Sequence, residues 1–373
     1  LDNFVCPKCR REYALDDPVW RCGCGSPLDI RFHPRFPRRE IRLTRPGMWR
    51  YRAAIPIRRD NNIISFHEGF TPLLPLAFGR RSALVKLDYS FPTGSFKDRG
   101  ASVLVSKIKE LGIKKVVIDS SGNAGAAVAA YCARAGIKCE VFLPAGTPLG
   151  KIAQIRAYGA RLRQIPGTRE DTARAALTAA AGTYYASHYW NPFFFQGTKT
   201  FAYEVCEQLG WQAPDSVVLP CGNGTLVLGA DLGFRDLQSA KIIRHLPRII
   251  AVQTARCAPI YQAYRGGSPF VPRISGRPTL AEGIAIAEPL RAASVLRVVG
   301  ETGGAILAVT ENEIKEALRN MAERGFFIEP TAAATIAGLI RYLKRSEKME
   351  TVVSVLTGHG LKSAEKIDRI LHG

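Results

Sequence analysis

The chain contains no apolar run approaching the roughly 20 residues needed to cross a bilayer, so it is not expected to span a membrane. Its opening residues, LDNFVCPKCR, lack the apolar core and cleavage pattern of a signal peptide, and a cytoplasmic protein is expected. Internal repeats and low-complexity segments are also missing. Negative charge is scarce: 32 Asp and Glu stand against 52 Lys and Arg, a formal charge of +20. That imbalance favours anionic ligands or partners without separating nucleic acid from a small phosphorylated metabolite. No Gly-Lys-Ser/Thr nucleotide loop and no G-x-G-x-x-G fingerprint occurs in the glycine-rich turns, which disfavours a nucleotide. What remains is an ordinary globular composition, 46% hydrophobic and 23% charged over 373 residues, enough for two or three compact units.

The nine cysteines fall into two groups. Cys132, Cys139, Cys206, Cys221 and Cys257 are scattered in apolar or helical segments and read as buried small hydrophobes. Cys6, Cys9, Cys22 and Cys24 form C-x2-C-x12-C-x-C, the layout of a small ribbon over residues 1–30 in which four thiolates hold zinc. A reducing compartment disfavours disulfides there. The single residue between Cys22 and Cys24 tightens the geometry and leaves an empty ribbon as the alternative, but about thirty residues fold poorly without such a staple. Residues 31–65 form a basic arm. Ten arginines and one acidic residue, Glu40, lie between Arg31 and Arg59, with prolines at 34, 37, 46 and 56 that argue for an extended segment. Trp49 and Tyr51 suit stacking on bases or pinning the arm to a protein surface; the strap is favoured over a nucleic-acid arm because the rest reads as a metabolic enzyme.

From KKVVIDSS onward, short β-branched runs alternate with helical stretches such as NAGAAVAAYCARAG, which predicts parallel sheets covered by helices, an α/β fold. Three strands run into turns of unusual composition, where α/β sheets bind ligands. DSSGNAG (119–125) offers Ser121, Gly122, Asn123 and Ala124 at a helix start, suited to a carboxylate. PCGNGTLVLG (220–229) lets the backbone curl around a phosphate. LTGHGLK (356–362) ends a strand on the Thr357 hydroxyl. Lys97, in SFPTGSFKDRG, adds an amine between a Gly-Ser turn and a helix. Each has a plain structural reading as a cap, a tight turn or a solvated amine. Together they match a ligand with one phosphate, one aldehyde and one ring nitrogen, pyridoxal 5'-phosphate.

PTGSFKDRG, SSGNAG, the glycine loop, EPTAAAT and LTGHGLK, in that order, resemble the fold-type II pyridoxal-phosphate enzymes, and especially the threonine synthases, which often carry a cysteine-bearing N-terminal segment. The resemblance implies two doubly wound α/β domains with the cofactor in the cleft between them, preceded by the ribbon. The smaller domain is expected over 94–200, the larger over 66–93 and 201–373, and the assembly as a homodimer. Lys97 is implied as the Schiff-base lysine, Phe96 as packing on the ring, and Asn123 as bonding the ring oxygen. Gly222, Asn223, Gly224 and Thr225 are implied as the phosphate cradle, and Thr357 as the partner of the ring nitrogen. A neutral hydroxyl there suits elimination and replacement at the β or γ carbon better than transamination.

The similarity weakens where a threonine synthase grips the phosphate of O-phosphohomoserine. Ala124 stands where a hydroxyl is typical, Phe194 where an arginine is typical in NP-x-R-x-x-G-x-KT, and His188 and Tyr189 replace an expected polar pair. A buried phosphate needs charged partners. Lys199, His188 or an arginine of the arm is left to supply one. LAEGIAI (280–286) is similar to a loop of serine and threonine dehydratases, which puts Glu282 either near the cofactor ring or the substrate, or at a turn cap. The expected activity is threonine-synthase-like, on a small amino-acid substrate. The alternatives are a dehydratase or β-replacement enzyme on an unphosphorylated amino acid and, more distantly, a ribbon-based nucleic-acid-binding module.

Overall fold

The alternation of apolar strands with helices resolves, in a computed structural model, into two compact units, described over residues 2–41, 45–147, 149–167, 169–346 and 349–372. One comprises residues 1–69 and 97–198, the other 70–96 and 199–373.

The first unit opens with three short antiparallel strands, β1 (Asn3–Val5) paired to β2 (Glu12–Ala14) and β3 (Asp29–Arg31). Phe4, fully buried on β1, meets the Phe193 ring edge-on at 5.7 Å, and Trp20 meets Tyr185 at 5.0 Å. The ribbon therefore shares its apolar side with the rest of the unit. The basic segment is a strap on the same unit. Trp49 is buried, and its Nε1 donates to Ser102 Oγ at 2.9 Å and to Glu68 Oε1 at 3.1 Å. Arg45 and Arg52 pair with Asp60, and the amides of Arg58 and Arg59 donate to Glu110 at 2.8 and 3.1 Å. The prolines at 46 and 56 do not keep the segment extended throughout. Gly47–Ala54, the proline-free stretch between those two, winds into 3-10 turns broken at Tyr51, whose φ of −92° and ψ of 28° are not helical.

A hairpin of β4 (Leu73–Phe78) and β5 (Arg81–Lys86) belongs to the second unit. The chain then builds the first unit's parallel sheet from β6 (Lys115–Ile118), β7 (Lys138–Pro144), β8 (Arg161–Ile165) and β9 (Tyr184–Tyr185), in the order β8-β7-β6-β9. Buried runs such as Val116, Val117 and Ile118 are what a strand covered on both faces requires. The helix Asn123–Ala135 ends where Gly136 adopts φ 66°, the left-handed cap that glycine takes without penalty.

The second unit completes its six-stranded sheet with β10 (Ser216–Pro220), β11 (Arg248–Thr254), β12 (Ala305–Val309) and β13 (Val352–Val355), ordered β12-β11-β10-β13-β5-β4. Only the β4–β5 pair is antiparallel. Helix Pro330–Leu343 packs a buried alanine-rich face onto this sheet; at Gly338 an added Cβ would lie 2.4 Å from Val252, so the close approach needs glycine. Among the described residues no helix is long and apolar enough to cross a membrane.

Candidate functional site

In the second unit, buried β10 runs through Cys221 into Gly222, Asn223 and Gly224 before helix Thr225–Ser239 begins. Gly224, at φ 78°, is the N-cap and supplies no side chain to the first amides, which leaves backbone donors and the helix dipole at this turn. An added Cβ on Gly224 would lie 2.5 Å from Val295, and one on Gly222 would lie 3.1 Å from both Ile284 and Ile286. The glycine turn and the LAEGIAI loop therefore pack backbone to backbone. Glu282 itself places its carboxylate 2.8 Å from Lys366 Nζ, while Gly283 N–H donates to Thr331 Oγ1 at 3.2 Å.

Leu356 and Thr357 follow β13. The Thr357 carbonyl accepts from Phe96 N–H at 3.0 Å, His359 N–H donates to the Gly94 carbonyl at 2.9 Å, and Ser95 and Gly358 form a bridge. The residues preceding Lys97 are thereby stitched to the LTGHG turn, with Phe96 buried next to it. Two hydroxyls at this seam, Ser95 Oγ and Thr357 Oγ1, are buried without a hydrogen-bond partner. Buried hydroxyls are normally satisfied, and an orphan of this kind marks a ligand position. Glu329, in the quoted EPTAAAT but given no role from sequence, packs here too. Its N–H donates to the Gly358 carbonyl at 2.9 Å, and a Cβ on Gly358 would fall 2.1 Å from its carboxyl carbon.

In the first unit, Lys97 opens helix Lys97–Glu110, and its Nζ lies 5.7 Å from the centroid of the fully buried Phe194 ring. Phe194 sits on helix Pro192–Thr198, whose start is held by Asn191: Oδ1 accepts from Phe193 N–H at 3.1 Å and Nδ2 donates to Tyr184 at 2.7 Å. The two helices approach so closely that a Cβ on Gly197 would lie 1.9 Å from the Arg99 carbonyl oxygen. His188 lies 5.9 Å from the Phe194 ring and 5.0 Å from the Tyr189 ring, with Nδ1 buried and unpartnered. Burial, then the charges of Lys97 and Arg169, hold its pKa well below the usual histidine value, so the ring is neutral at physiological pH.

Ser121, Gly122, Asn123 and Ala124 form the turn after β6. Gly122 caps helix Asn123–Ala135 without a side chain, and a Cβ on Gly125 would sit 1.9 Å from the Ser120 carbonyl oxygen, so the turn is pulled tightly under the helix. Asp119, the last residue before it, accepts from Tyr185 at 2.5 Å and from Tyr189 at 2.9 Å. Burial pushes the Asp119 carboxyl up, against the lowering effect of Arg169 and the two hydroxyls. Sequence reasoning gave Asp119, Tyr185 and Arg169 no role. Their only signal is position, each lying at or just beyond the carboxyl end of a parallel strand. Lys199, considered above as a phosphate partner, is buried in the second unit against Asp236, at 2.9 Å.

At the ribbon, Cys6, Cys9, Cys22 and Cys24 bring their sulfurs within 4.8 Å of one another. Cys6 and Cys24 are 3.6 Å apart, Cys9 and Cys22 3.5 Å. Tetrahedral ligands at a zinc–sulfur distance of about 2.3 Å stand about 3.8 Å apart, so the donor set suits that ion. The Cys24 amide and then the Tyr13 hydroxyl lower the Cys22 thiol to about 6, the direction a thiolate ligand requires, whereas Cys9, opposed by the Arg11 amide, is raised to about 11 by its bonds to Cys22 and Cys6.

Taken unit by unit, the donor types suit pyridoxal phosphate: an amine at Lys97 in the first, and in the second an amide-lined glycine turn and the buried, unpartnered Thr357 hydroxyl. Comparison with known proteins points the same way. The chain is 36% identical over 375 residues to a threonine synthase of Methanocaldococcus jannaschii, covering 96% of this chain and 93% of that protein. It is 38% identical over 330 residues to a threonine synthase of Synechocystis, covering 84% and 82%. Among solved structures, the processed threonine deaminase isoform 2 of Solanum lycopersicum shares the fold at 24% identity, with a TM-score of 0.70 over 86% of this chain and 91% of that one. The model of the pyridoxal-phosphate dependent enzymes matches residues 64–358, and the chain belongs to that family.

Proposed function

We propose that the chain is a pyridoxal-phosphate-dependent lyase that converts O-phosphohomoserine to threonine and phosphate. One observation carries this reading: relatives named threonine synthases align along nearly the whole chain, ribbon included, at 34–36% identity over 375 and 379 residues. The bound cofactor would supply an electron sink for the charge that develops when the substrate's α-proton leaves. Lys97 is the catalytic residue, its Nζ moving the proton at the substrate α-carbon. Phe96 and Asn123 would position the cofactor ring, Gly222, Asn223, Gly224 and Thr225 would present amides and a hydroxyl to its phosphate, and Thr357 Oγ1 would serve its ring nitrogen. The amides of Ser121, Gly122, Asn123 and Ala124 hold the substrate carboxylate at a helix start. His188 and Phe194 border the substrate side chain and exclude water. Glu282 acts through Lys366, fixing the loop that packs on Gly222. The four ribbon thiolates bind structural zinc, and the protein works as a cytoplasmic homodimer.

A dehydratase acting on serine or threonine is the second reading, favoured by the Phe194 ring beside Lys97. Purified yellow holoenzyme incubated with O-phosphohomoserine should release phosphate and threonine together. Release of neither, with keto acid formed from serine or threonine, would replace the first reading by the second.

A further inference from the structure

The ribbon and the first unit's parallel sheet leave between them a groove of about 590 Å³, at the amino ends of β6 and β9. Small-molecule sites typically occupy roughly 300–1,000 Å³, so the groove is large enough for one. Lys115 opens β6 and Asp119 follows its last residue, which puts about 13 Å of extended chain between the groove and the turn at 121–124. The groove is therefore separate from the candidate substrate site, and the proposed reaction makes no use of it.

Its walls combine two chemistries. Val19 of the ribbon, Ile113 before β6 and Ala180 after helix Arg169–Ala179 are apolar. Arg21, Lys114 and Lys115 line it as exposed cations, and among the described residues no acid does. Lys115 is partly neutralised: its Nζ lies 3.2 Å from Glu140, a carboxylate shared with Arg161 and Arg163 at 3.6 Å each. Arg21 and Lys114 have no carboxylate partner among the described residues. The Arg21 guanidinium is nonetheless held, 4.7 Å over the ring of Trp20, which is 7% exposed and meets Trp190 edge-on at 5.6 Å. Stacking of this kind fixes the plane of the guanidinium and leaves its N–H edge free for a carboxylate or phosphate. The strand ends beneath are tied by Thr183 Oγ1, which donates to the Lys115 carbonyl at 3.0 Å, so the groove is preformed. Two uncommitted cations beside an apolar wall, with no acid to repel a negative charge, are complementary to an amphipathic anion.

We propose that the groove is a second binding site, for a small organic anion whose apolar body lies against Val19, Ile113 and Ala180 and whose carboxylate or phosphate is taken by Arg21 and Lys114. The test titrates the holoenzyme with anilinonaphthalene sulfonate, and with phenylnaphthylamine as the same rings without the charge, and reads the probe fluorescence. Lys114→Glu should weaken the sulfonate about tenfold, an attraction turned into a repulsion, and Arg21→Gln about fivefold, each leaving the uncharged probe within about threefold. Ala181→Trp, at another residue of the lining, fills the space with the charges in place and should weaken both probes. Phenyl phosphate and phenylacetate, added as competitors, separate the two head groups, and displacement of the sulfonate by one or both names the anion that the groove takes. The inference falls if K114E or R21Q binds the sulfonate as tightly as the wild type, if A181W binds both probes unchanged, or if neither competitor displaces the sulfonate.

Discussion

Replacing Thr357 with valine tests the cofactor assignment through opposite effects on two forms of the same protein. Thr357 is 1% exposed and its Oγ1 has no partner, although the backbone on either side is held by the Phe96–Thr357 and His359–Gly94 bonds. In the cofactor-free chain the hydroxyl is a desolvated group with nothing to offset its burial, a cost of about 1–3 kcal/mol that an isosteric valine removes. T357V should therefore leave the cofactor-free melting temperature unchanged or raise it. With pyridoxal phosphate bound, the same substitution deletes the hydrogen bond to the ring nitrogen, about 0.5–1.5 kcal/mol, which corresponds to roughly two- to tenfold weaker cofactor binding. The saturated enzyme should melt lower than wild type by the amount that linkage requires. Thermal melts of both forms and a cofactor titration give all the terms. If T357V destabilises the cofactor-free chain as much as the holoenzyme, the hydroxyl is a structural group and the placement of the ring nitrogen beside it is wrong.

Gly100→Ala places a Cβ 2.3 Å from two atoms of the fully buried Phe194 ring. Overpacking of about 1–3 kcal/mol should outweigh the gain of about 1 kcal/mol in helix propensity. The mutant should melt lower than wild type, and a melting point at or above the wild-type value would contradict the packing described for helices Lys97–Glu110 and Pro192–Thr198. At the ribbon, metal analysis should find one zinc per chain. Exhaustive chelation, or Cys22→Ser, should expose the Phe4 and Trp20 contacts and lower the melting temperature; metal-free protein with unaltered stability would dismiss a structural ion.

The strands and helices that carry the cofactor residues were legible because each pairs an apolar run with a turn of restricted composition. KKVVI with SSGNAG and SVVLP with CGNGT correspond to β6 and β10 and the helices that follow. β9 was not legible. Two tyrosines, Tyr184 and Tyr185, make too short a run for any periodicity, and they form a strand only because β6 offers its edge. The strap was half legible: its prolines mark where helix stops, but the 3-10 turns at Gly47–Ala54 depend on Trp49 reaching Ser102, a contact across more than fifty residues of chain. The motifs named the residues for the cofactor, because a phosphate and an aldehyde demand particular residue types at short spacing. They passed over Asp119, Tyr185 and Tyr189, which lie at or beyond the ends of β6 and β9 and meet only when the two strands pair.

That difference separates the two tasks along the chain. Gly222–Thr225 and Thr357, proposed above to hold the cofactor through backbone amides and one hydroxyl, belong to the second unit. Residues 121–124, His188 and Phe194 belong to the first, in the turns and helix starts that follow different strands, and contribute one or two side chains each. Exchange of arginine for phenylalanine at 194 leaves the Gly222–Gly224 turn untouched, because the two lie in different units. Substrate choice on this fold is therefore set by side chains on strand-end turns, which change singly, whereas cofactor retention is set by backbone geometry, which does not. By that logic the proposed substrate is to be sought in side chains such as His188 and Phe194, not in the motifs by which the family is recognised.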